Sequence, residues 1–308
     1  MAQITAKMVA ELRAQTGCGM MDCKNALVAA DGNFEEAIKV LREKGIAATA
    51  KKQSRIAAEG IVDILTEGNR TAMIEVNSET DFVAKNESFR AFVKDILKTI
   101  LLENPTDIAD LMTKKFFGTE DTVEAVLQEK TFTIGEKLSL RRFMVIDGVV
   151  STYIHGMGAT GVIVLFNADD TAVSNEGFKE FAKNIALQVA AMPVAYVNRD
   201  AVPASAIEEE KAIIVKQLEQ DPKMQGKPQK VLDGIVMGKL GKFYEVNCLL
   251  DQAYVKDDSM KVGQYVNATA KAFGGKIEVV NFYRYDKGEG LQKREENFAD
   301  EIAKMVNG

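Results

Sequence analysis

Residues 86–96 read NESFRAFVKDI, and residues 175–185 repeat that stretch as NEGFKEFAKNI, at an offset of 89 positions. Asn, Glu, both Phe, Lys and Ile recur in register. Strand-like segments precede each copy: residues 60–62 and 72–76 the first, residues 148–150 and 162–166 the second. The core is therefore predicted to contain two similar α+β units, each pairing a small antiparallel sheet with a helix.

The N-terminal 55 residues predict three short helices. Thr5 is a candidate N-cap of the first, and residues 20–30 form the second. Asn33 is expected to cap the third, with Glu36 completing a capping box. Gly45 is expected to end that helix, and residues 51–55 look like a linker.

The second repeat is followed by an inserted antiparallel helical hairpin. Residues 204–220 predict a charged helix, and residues 229–240 predict a helix that runs back beside it. The inward positions of the returning helix are expected to be Val231, Leu232, Ile235 and Val236. Strands are expected around residues 244–249 and 276–285, before an amphipathic helix with Phe298, Ile302 and Met305.

The predicted fold class is thus α+β: an N-terminal three-helix domain, a core of two repeated subdomains, an inserted helical hairpin and a C-terminal helix. The predicted boundaries are 1–55 for the three-helix domain, 56–147 for the first core subdomain, 148–192 with 241–285 for the second, 193–240 for the hairpin and 286–308 for the C-terminal module.

Composition narrows the function. The net charge of the 308 residues is −6, which argues against a general nucleic-acid binder. Residues 1–55 carry net +3 and the rest net −9, a split that suits docking to an acidic partner or reflects ordinary variation between small domains. No signal-peptide pattern and no apolar run of about 18–20 residues occurs, so a cytoplasmic protein is expected. The three cysteines are expected to be reduced thiols.

A glycine string at residues 156–161, GMGATG, fits the dinucleotide-binding pattern GxGxxG. That site needs a helix after the glycines, whereas residues 162–166, VIVLF, predict a strand. The string is therefore predicted to be a hairpin turn, and no nucleotide or other cofactor is expected to bind. His155 is the only histidine, so neither a catalytic triad nor a zinc site is expected.

Two motifs carry a family resemblance. Residues 12–27 read LRAQTGCGMMDCKNAL, and residues 80–83 read TDFV. The pair in this order closely resembles the elongation factor Ts family, whose members exchange guanine nucleotide on the GTPase elongation factor Tu. The resemblance implies that residues 1–55 form a ubiquitin-associated-like module.

The resemblance also implies a contact surface for elongation factor Tu. In the family the Phe of TDFV enters the GTPase domain and helps to dislodge Mg²⁺, a role that falls here on Asp81 and Phe82. The full set of implied partner-binding residues is Arg13, Met20, Met21, Thr80, Asp81, Phe82, Val83, Ile134, Gly135, His155 and Gly156.

Other interpretations of these residues stay open on the sequence alone. Phe82 is either an inward-facing staple of the following helix or an exposed hot spot of an interface. Met20 and Met21 are either core residues or part of a partner surface. The hairpin is expected to pair two copies of the chain, to pair two complexes, or to do neither.

The function that follows is a guanine-nucleotide exchange factor of translation elongation, with elongation factor Tu as partner and no covalent chemistry of its own. The first alternative is a protein-binding adaptor that uses the three-helix module. The second, a nucleotide-dependent oxidoreductase, depends only on the glycine string.

Overall fold

The computed structural model describes residues 3–292, so the predicted C-terminal helix with Phe298, Ile302 and Met305 lies outside the described range. These residues form both helices and short strands, so the predicted α+β class is confirmed. The helices of these residues are α1 Ala6–Thr16, α2 Met20–Ala29, α3 Phe34–Lys52, α4 Asp81–Lys85, α5 Glu87–Glu103, α6 Ile108–Thr113, α7 Val123–Ile134, α8 Asp170–Val173, α9 Phe178–Ala191, α10 Ala204–Gln220, α11 Gln229–Asn247 and α12 Val262–Phe273. The strands are β1 Glu59–Glu67, β2 Arg70–Ser78, β3 Ser139–Asp147, β4 Val149–His155, β5 Thr160–Ala168, β6 Ala253–Tyr254, β7 Asp257–Lys261 and β8 Ile277–Asp286.

The sheets are small, as the sequence predicts. One has the strand order β1-β2-β3, a second has β4-β5-β8, and a two-stranded pair joins β6 to β7. β1 and β2 are antiparallel and in continuous register from Glu59 opposite Ser78 to Glu67 opposite Arg70. Gly68 lies between these strands with a φ of 59°, the left-handed region that a tight turn requires.

Both copies of the repeated stretch lead into a helix, and residues 87–96 and 178–185 are helical. The helical residues form the N-terminal parts of α5 and α9, and each part packs its apolar side into a separate hydrophobic cluster. The buried residues recur at the offset of 89: Phe89, Phe92 and Ile96 in the first copy, and Phe178, Phe181 and Ile185 in the second. The strands predicted before each copy are β1 with β2, and β4 with β5.

A short helix precedes each repeated helix, and neither was predicted from the sequence. α4 begins at Asp81 and α8 begins at Asp170, so their starts are also 89 residues apart. The duplicated unit is therefore longer than the stretch in which sequence identity is visible. A helix of four or five residues carries too few periodic positions to be recognised from its pattern.

The N-terminal helices are capped at the predicted residues. The Thr5 side chain accepts a hydrogen bond from the Met8 N–H, and the Asn33 side chain accepts from Glu35 and Glu36 N–H groups. The capping box predicted for Glu36 is wrong. The Asn33 N–H that it would need already donates to the Ala30 carbonyl, and the Glu36 carboxylate instead accepts from Lys39.

The third helix is longer than predicted. α3 continues through Gly45 to Lys52, so Gly45 does not end it and the predicted linker is helical in its first two residues. A glycine inside a helix costs only about 1 kcal/mol. Gly45 is buried, and its Cα faces the Phe132 side chain of α7, a packing contact that offsets this cost. The Lys52 ammonium then donates to the Thr131 carbonyl of α7.

The hairpin consists of α10 and α11, and α10 has the predicted bounds. α11 runs on to Asn247, so the strand predicted around residues 244–249 is wrong. The aromatic and β-branched residues there favour a strand by propensity, but the carbonyl of Asn247 accepts from the N–H groups of Ala195 and Tyr196, which holds the end of the helix. Val231, predicted to face inward, is 44% exposed.

Contacts divide the described chain into two compact units. The first contains residues 3–145, 156–160 and 285–292, and the second contains residues 146–155 and 161–284. The finer domain boundaries predicted from the sequence stay predictions. Within residues 3–292 the structure contains no helix of the length and apolar character that crossing a membrane requires.

Candidate functional site

Phe82 is held outward on α4 while its neighbours point inward. The Phe82 side chain is 79% exposed, whereas Val83 and Ala84 are buried in the cluster that contains Phe89. The inward-staple interpretation of Phe82 is therefore wrong. In a five-residue helix the inner side has room for few residues, and Val83 and Ala84 occupy it.

The start of α4 is tied to the loop after α7. Thr80 donates both its backbone N–H, over 2.9 Å, and its hydroxyl, over 2.6 Å, to the Glu136 carboxylate. The preceding Glu79 accepts the Lys137 N–H at 2.6 Å and the Arg55 guanidinium at 3.2 Å. These bonds bring two predicted contact segments together, TDFV and the loop of Gly135.

Asp81 opens α4 and pairs with a residue one turn later. The Lys85 ammonium donates to the Asp81 carboxylate over 2.5 Å, and this hydrogen bond lowers the pKa of Asp81. The same ammonium lies 5.9 Å from the centre of the Phe82 ring. The exposed end of α4 therefore presents one aromatic ring flanked by an ionised carboxylate and an ammonium.

Two predicted contact residues lie at the end of α7: Ile134 is its last residue, and Gly135 follows it. Ile134 is half-buried against the core cluster that contains Phe89. Gly135 is exposed, has a φ of 86° and ends α7 by donating its N–H to the Thr131 carbonyl. The left-handed conformation favours glycine here, and Gly135 is the more exposed residue of this pair.

The glycine string forms a turn between strands, as predicted. β4 ends at His155 and β5 begins at Thr160, and Gly156, Met157 and Gly158 all have positive φ. A strand follows the turn, so the helix N-terminus that would bind a phosphate in a dinucleotide site is not present at this position.

His155 lies at the end of β4 in the second compact unit. Its side chain is exposed, and its Nδ1 lies 3.2 Å from the hydroxyl oxygen of Tyr153. The neighbouring Gly156 is exposed as well. The exposure of both residues suits contact with a partner rather than a role in the core.

The predicted N-terminal contact residues form a separate group on α1 and α2. Arg13 is exposed, and Met20 and Met21 are 59% and 62% exposed, so the two methionines are not core residues. Together with α3, these two helices pack on their own hydrophobic cluster, distinct from the one beneath α4. Flexible, exposed methionine side chains are suited to partner surfaces.

The cysteines are free thiols, as predicted, and all three are buried. Burial raises the pKa of Cys18 and of Cys248, so both thiols stay protonated near neutral pH. Among residues 3–292 no group of three or more His, Cys, Asp and Glu side chains is arranged to bind a metal ion.

Comparison with known proteins decides the family. The sequence model of the family described as Elongation factor TS matches residues 79–289, from Glu79 beside TDFV to Glu289. The chain belongs to the elongation factor Ts family. It is 46% identical to an elongation factor Ts of Clostridioides difficile over 99% of this chain and 100% of the relative. It is 43% identical to one from Syntrophotalea carbinolica and 42% identical to one from Clostridium kluyveri, each over 99% of both chains.

Membership of the elongation factor Ts family confirms the resemblance inferred from residues 12–27 and 80–83. The family acts in protein biosynthesis as guanine-nucleotide exchange factors, and elongation factor Tu is the partner that membership implies.

Two residues that hold this candidate site in place were not predicted from the sequence. Glu136 receives both donors of Thr80, and Arg90 donates to the Ala84 carbonyl at the end of α4. Glu136 directly follows the predicted contact residue Gly135, so its position in the sequence could have indicated that it belongs to the site. Arg90 lies inside the repeated stretch, where the second copy has Lys179, and nothing in the pattern separates it from other helix-surface cations.

Proposed function

We propose that this protein binds elongation factor Tu carrying GDP, inserts Phe82 into its GTPase domain, weakens the hold on Mg²⁺ and diphosphate, and thereby releases GDP. The proposed contact set is the one that the sequence resemblance implies: Arg13, Met20, Met21, Thr80, Asp81, Phe82, Val83, Ile134, Gly135, His155 and Gly156. The observation that carries the proposal is the 79% exposure of Phe82 on a helix whose adjacent residues are buried.

Exchange of this kind requires that the factor and the nucleotide oppose each other's binding to the GTPase. Burying one phenylalanine side chain supplies roughly 2–3 kcal/mol. Since a tenfold change in affinity corresponds to about 1.4 kcal/mol, Phe82 alone accounts for about two decades of weakening. Any larger coupling must come from other groups that act on the same domain, for which Asp81 and His155 are the proposed candidates.

The residues divide into two proposed roles. Phe82 and Asp81 act on the Mg²⁺ site, so they contribute to the step that releases GDP. Arg13, Met20 and Met21 lie on helices that pack on a separate hydrophobic cluster, and we assign them to binding that is the same with and without nucleotide. Only the first set should change the maximal rate of exchange, because uniform binding cancels between the two states.

Phe82→Ala tests the proposal. The variant should slow release of fluorescent GDP from elongation factor Tu by up to about two decades in a stopped-flow experiment, as expected from the area lost. Its melting temperature should not fall, because removal of an exposed side chain leaves no cavity. Leu102→Ala is the matched control, since Leu102 is 69% exposed on α5 and has no proposed contact. If Phe82→Ala released GDP at the unaltered rate, the proposed role of Phe82 as a wedge that enters the GTPase domain would be refuted.

A further inference from the structure

A helix of five residues, such as α4, cannot by itself hold the Phe82 side chain in a fixed position. Isolated helices shorter than about 12 residues are marginal in water, and α4 spans only Asp81 to Lys85. Thr80 stands at its N-cap position but makes no side-chain cap bond to the helix; its hydroxyl instead donates to Glu136. The position of Phe82 must therefore be set by contacts outside α4.

One of these contacts is made by Arg90, in the first turns of α5. Its Nε donates to the carbonyl oxygen of Ala84 over 3.1 Å, and its Nη2 donates to the carbonyl oxygen of Met157 over 2.5 Å. The last carbonyls of a helix have no partner within it. One planar guanidinium thus satisfies the end of α4 and joins it to the turn after β4.

That turn is itself firmly attached to the first compact unit. Three successive carbonyls are occupied: Met157 accepts from Arg90, Gly158 accepts from the Val62 N–H over 2.8 Å, and Ala159 accepts from the Lys287 N–H over 2.8 Å. Gly158 lies so close to β1 that an added Cβ would come within 2.8 Å of the Ile61 Cβ. Arg90 therefore anchors α4 to a turn that has little freedom to move.

We infer that Arg90 is a positioning residue for nucleotide exchange, which holds the C-terminal end of α4 so that Phe82 cannot retreat when it meets the partner. The inference rests on the proposed wedge role of Phe82. An inserted side chain contributes its full binding energy only when the helix that carries it is already ordered before binding. With Arg90 removed, α4 gains freedom, and ordering it again in the complex costs part of the energy that Phe82 would otherwise supply.

This role predicts a specific kinetic signature. Arg90→Ala should lower the maximal rate of GDP exchange by roughly tenfold, the scale set by losing hydrogen bonds from a charged donor. The concentration of elongation factor Tu–GDP at half-maximal rate should change little, because Arg90 itself does not contact the partner in this assignment. Arg90→Lys keeps the charge but cannot bridge two carbonyls in a fixed plane, so it should restore only part of the rate.

Arg70→Ala is the matched control. Arg70 uses the same chemistry at another helix end: its guanidinium donates to the Leu101 carbonyl over 3.1 Å and to the Asn104 side chain over 2.6 Å, at the end of α5. Both variants remove an arginine that caps a helix end in the same compact unit. A general loss of stability should slow exchange in both, whereas a positioning role slows it only in Arg90→Ala.

A double-mutant cycle of Arg90→Ala with Phe82→Ala decides the mechanism, each measured below its melting temperature. If Arg90 acts through Phe82, the arginine substitution should cost little once the ring is gone, so the two effects should be far from additive. Additive effects, or a change confined to the half-maximal concentration, would overturn the positioning role while leaving the wedge in place. Unaltered exchange by Phe82→Ala alone would instead remove the proposed function.

Discussion

Phe82 and Thr171 occupy equivalent positions in the two copies of the duplicated unit, each as the second residue of a short helix that leads into the repeated helix. Both side chains are exposed, but one is an aromatic ring and the other a small hydroxyl. The scaffold around them is alike, since Val83 and Ala172 are both buried on the inner side of their helices. The duplication therefore supplies the same short helix twice, and only the first copy carries an exposed aromatic ring at this position.

Substitutions that exchange these two residues separate the contribution of the short helix from that of the aromatic ring. Phe82→Thr should slow GDP release as much as Phe82→Ala, with no fall in melting temperature, because a threonine is accommodated at the same point of α8. Thr171→Phe should leave exchange unchanged, since the second copy is not proposed to enter the GTPase. Stopped-flow release and melting curves measure both. Faster or slower release by Thr171→Phe would show that the second copy also faces the nucleotide site.

Asp81 is predicted to act on the metal rather than on the stability of the protein. Asp81→Asn should slow GDP release most at high Mg²⁺, where the metal is hardest to displace, with little change at low Mg²⁺. The lowered pKa keeps the Asp81 carboxylate ionised at neutral pH, so the asparagine removes a charge that is present during exchange. Asp170→Asn, at the matching start of α8, is the control. A Mg²⁺ series in which Asp81→Asn and the unaltered protein run parallel would contradict the assignment.

Glu75 carries a prediction about stability and pH. Its side chain is fully buried in β2, where the carboxylate accepts from the Gly288 N–H, Asn77, Arg141 and Arg142. Burial raises the pKa of Glu75, but these donors together outweigh it and lower the pKa below its ordinary value of 4.5. A lowered native pKa stabilises the fold above pH 4.5, and that contribution is lost as the pH falls through the lowered value.

Glu75→Ala should therefore destabilise the protein at pH 7 by about 3 kcal/mol, the cost of breaking a buried ion pair. The loss should shrink on acidification below pH 4.5, because the unaltered protein then loses the same contribution. Melting temperatures between pH 7 and pH 3.5 provide the measurement. Glu67→Ala, at the exposed end of β1, is the control. An equal difference between Glu75→Ala and the unaltered protein at every pH would rule out the linkage.

The exposed N-terminal residues are predicted to govern the affinity for elongation factor Tu–GDP and not the maximal rate of exchange. Substituting Arg13, Met20 and Met21 together by alanine should raise the half-maximal concentration of elongation factor Tu–GDP by roughly tenfold or more, the scale of a few interface residues. The maximal rate of exchange and the melting temperature should not change. Deletion of residues 1–55 is a poorer test, because it would remove the Gly45 and Lys52 contacts of α3 with α7. A fall in maximal rate would assign these residues to GDP displacement.

The tip of the helical hairpin is predicted to be dispensable for exchange. The Lys239 ammonium donates to the Gln217 side chain over 3.2 Å, which marks where α10 and α11 lie side by side. Replacing residues 218–238 by a short glycine-rich turn should keep the maximal rate within about twofold, since none of the proposed contact residues lies in that segment. Sedimentation velocity on the same variant tests self-association. Loss of the maximal rate with intact binding would contradict the prediction.

The sequence by itself determined the duplicated α+β core, the N-terminal helices and the family. Those features depend on local spacing: apolar residues at helical and strand periods, capping residues at helix starts, and a turn where a strand follows the glycines. The family follows from residues 12–27 and 80–83, where residue identity is itself the signal.

Only the tertiary structure decided which way Phe82 points, where α3 and α11 end, and what holds α4. Propensity and pattern place Phe82 inward as readily as outward, because the choice depends on whether Val83 and Ala84 already fill the core. The ends of α3 and α11 depend on Phe132, Ala195 and Tyr196, which are far away in the chain. Arg90 reaches Met157 across 67 positions, and no local pattern contains a contact between residues so distant in sequence.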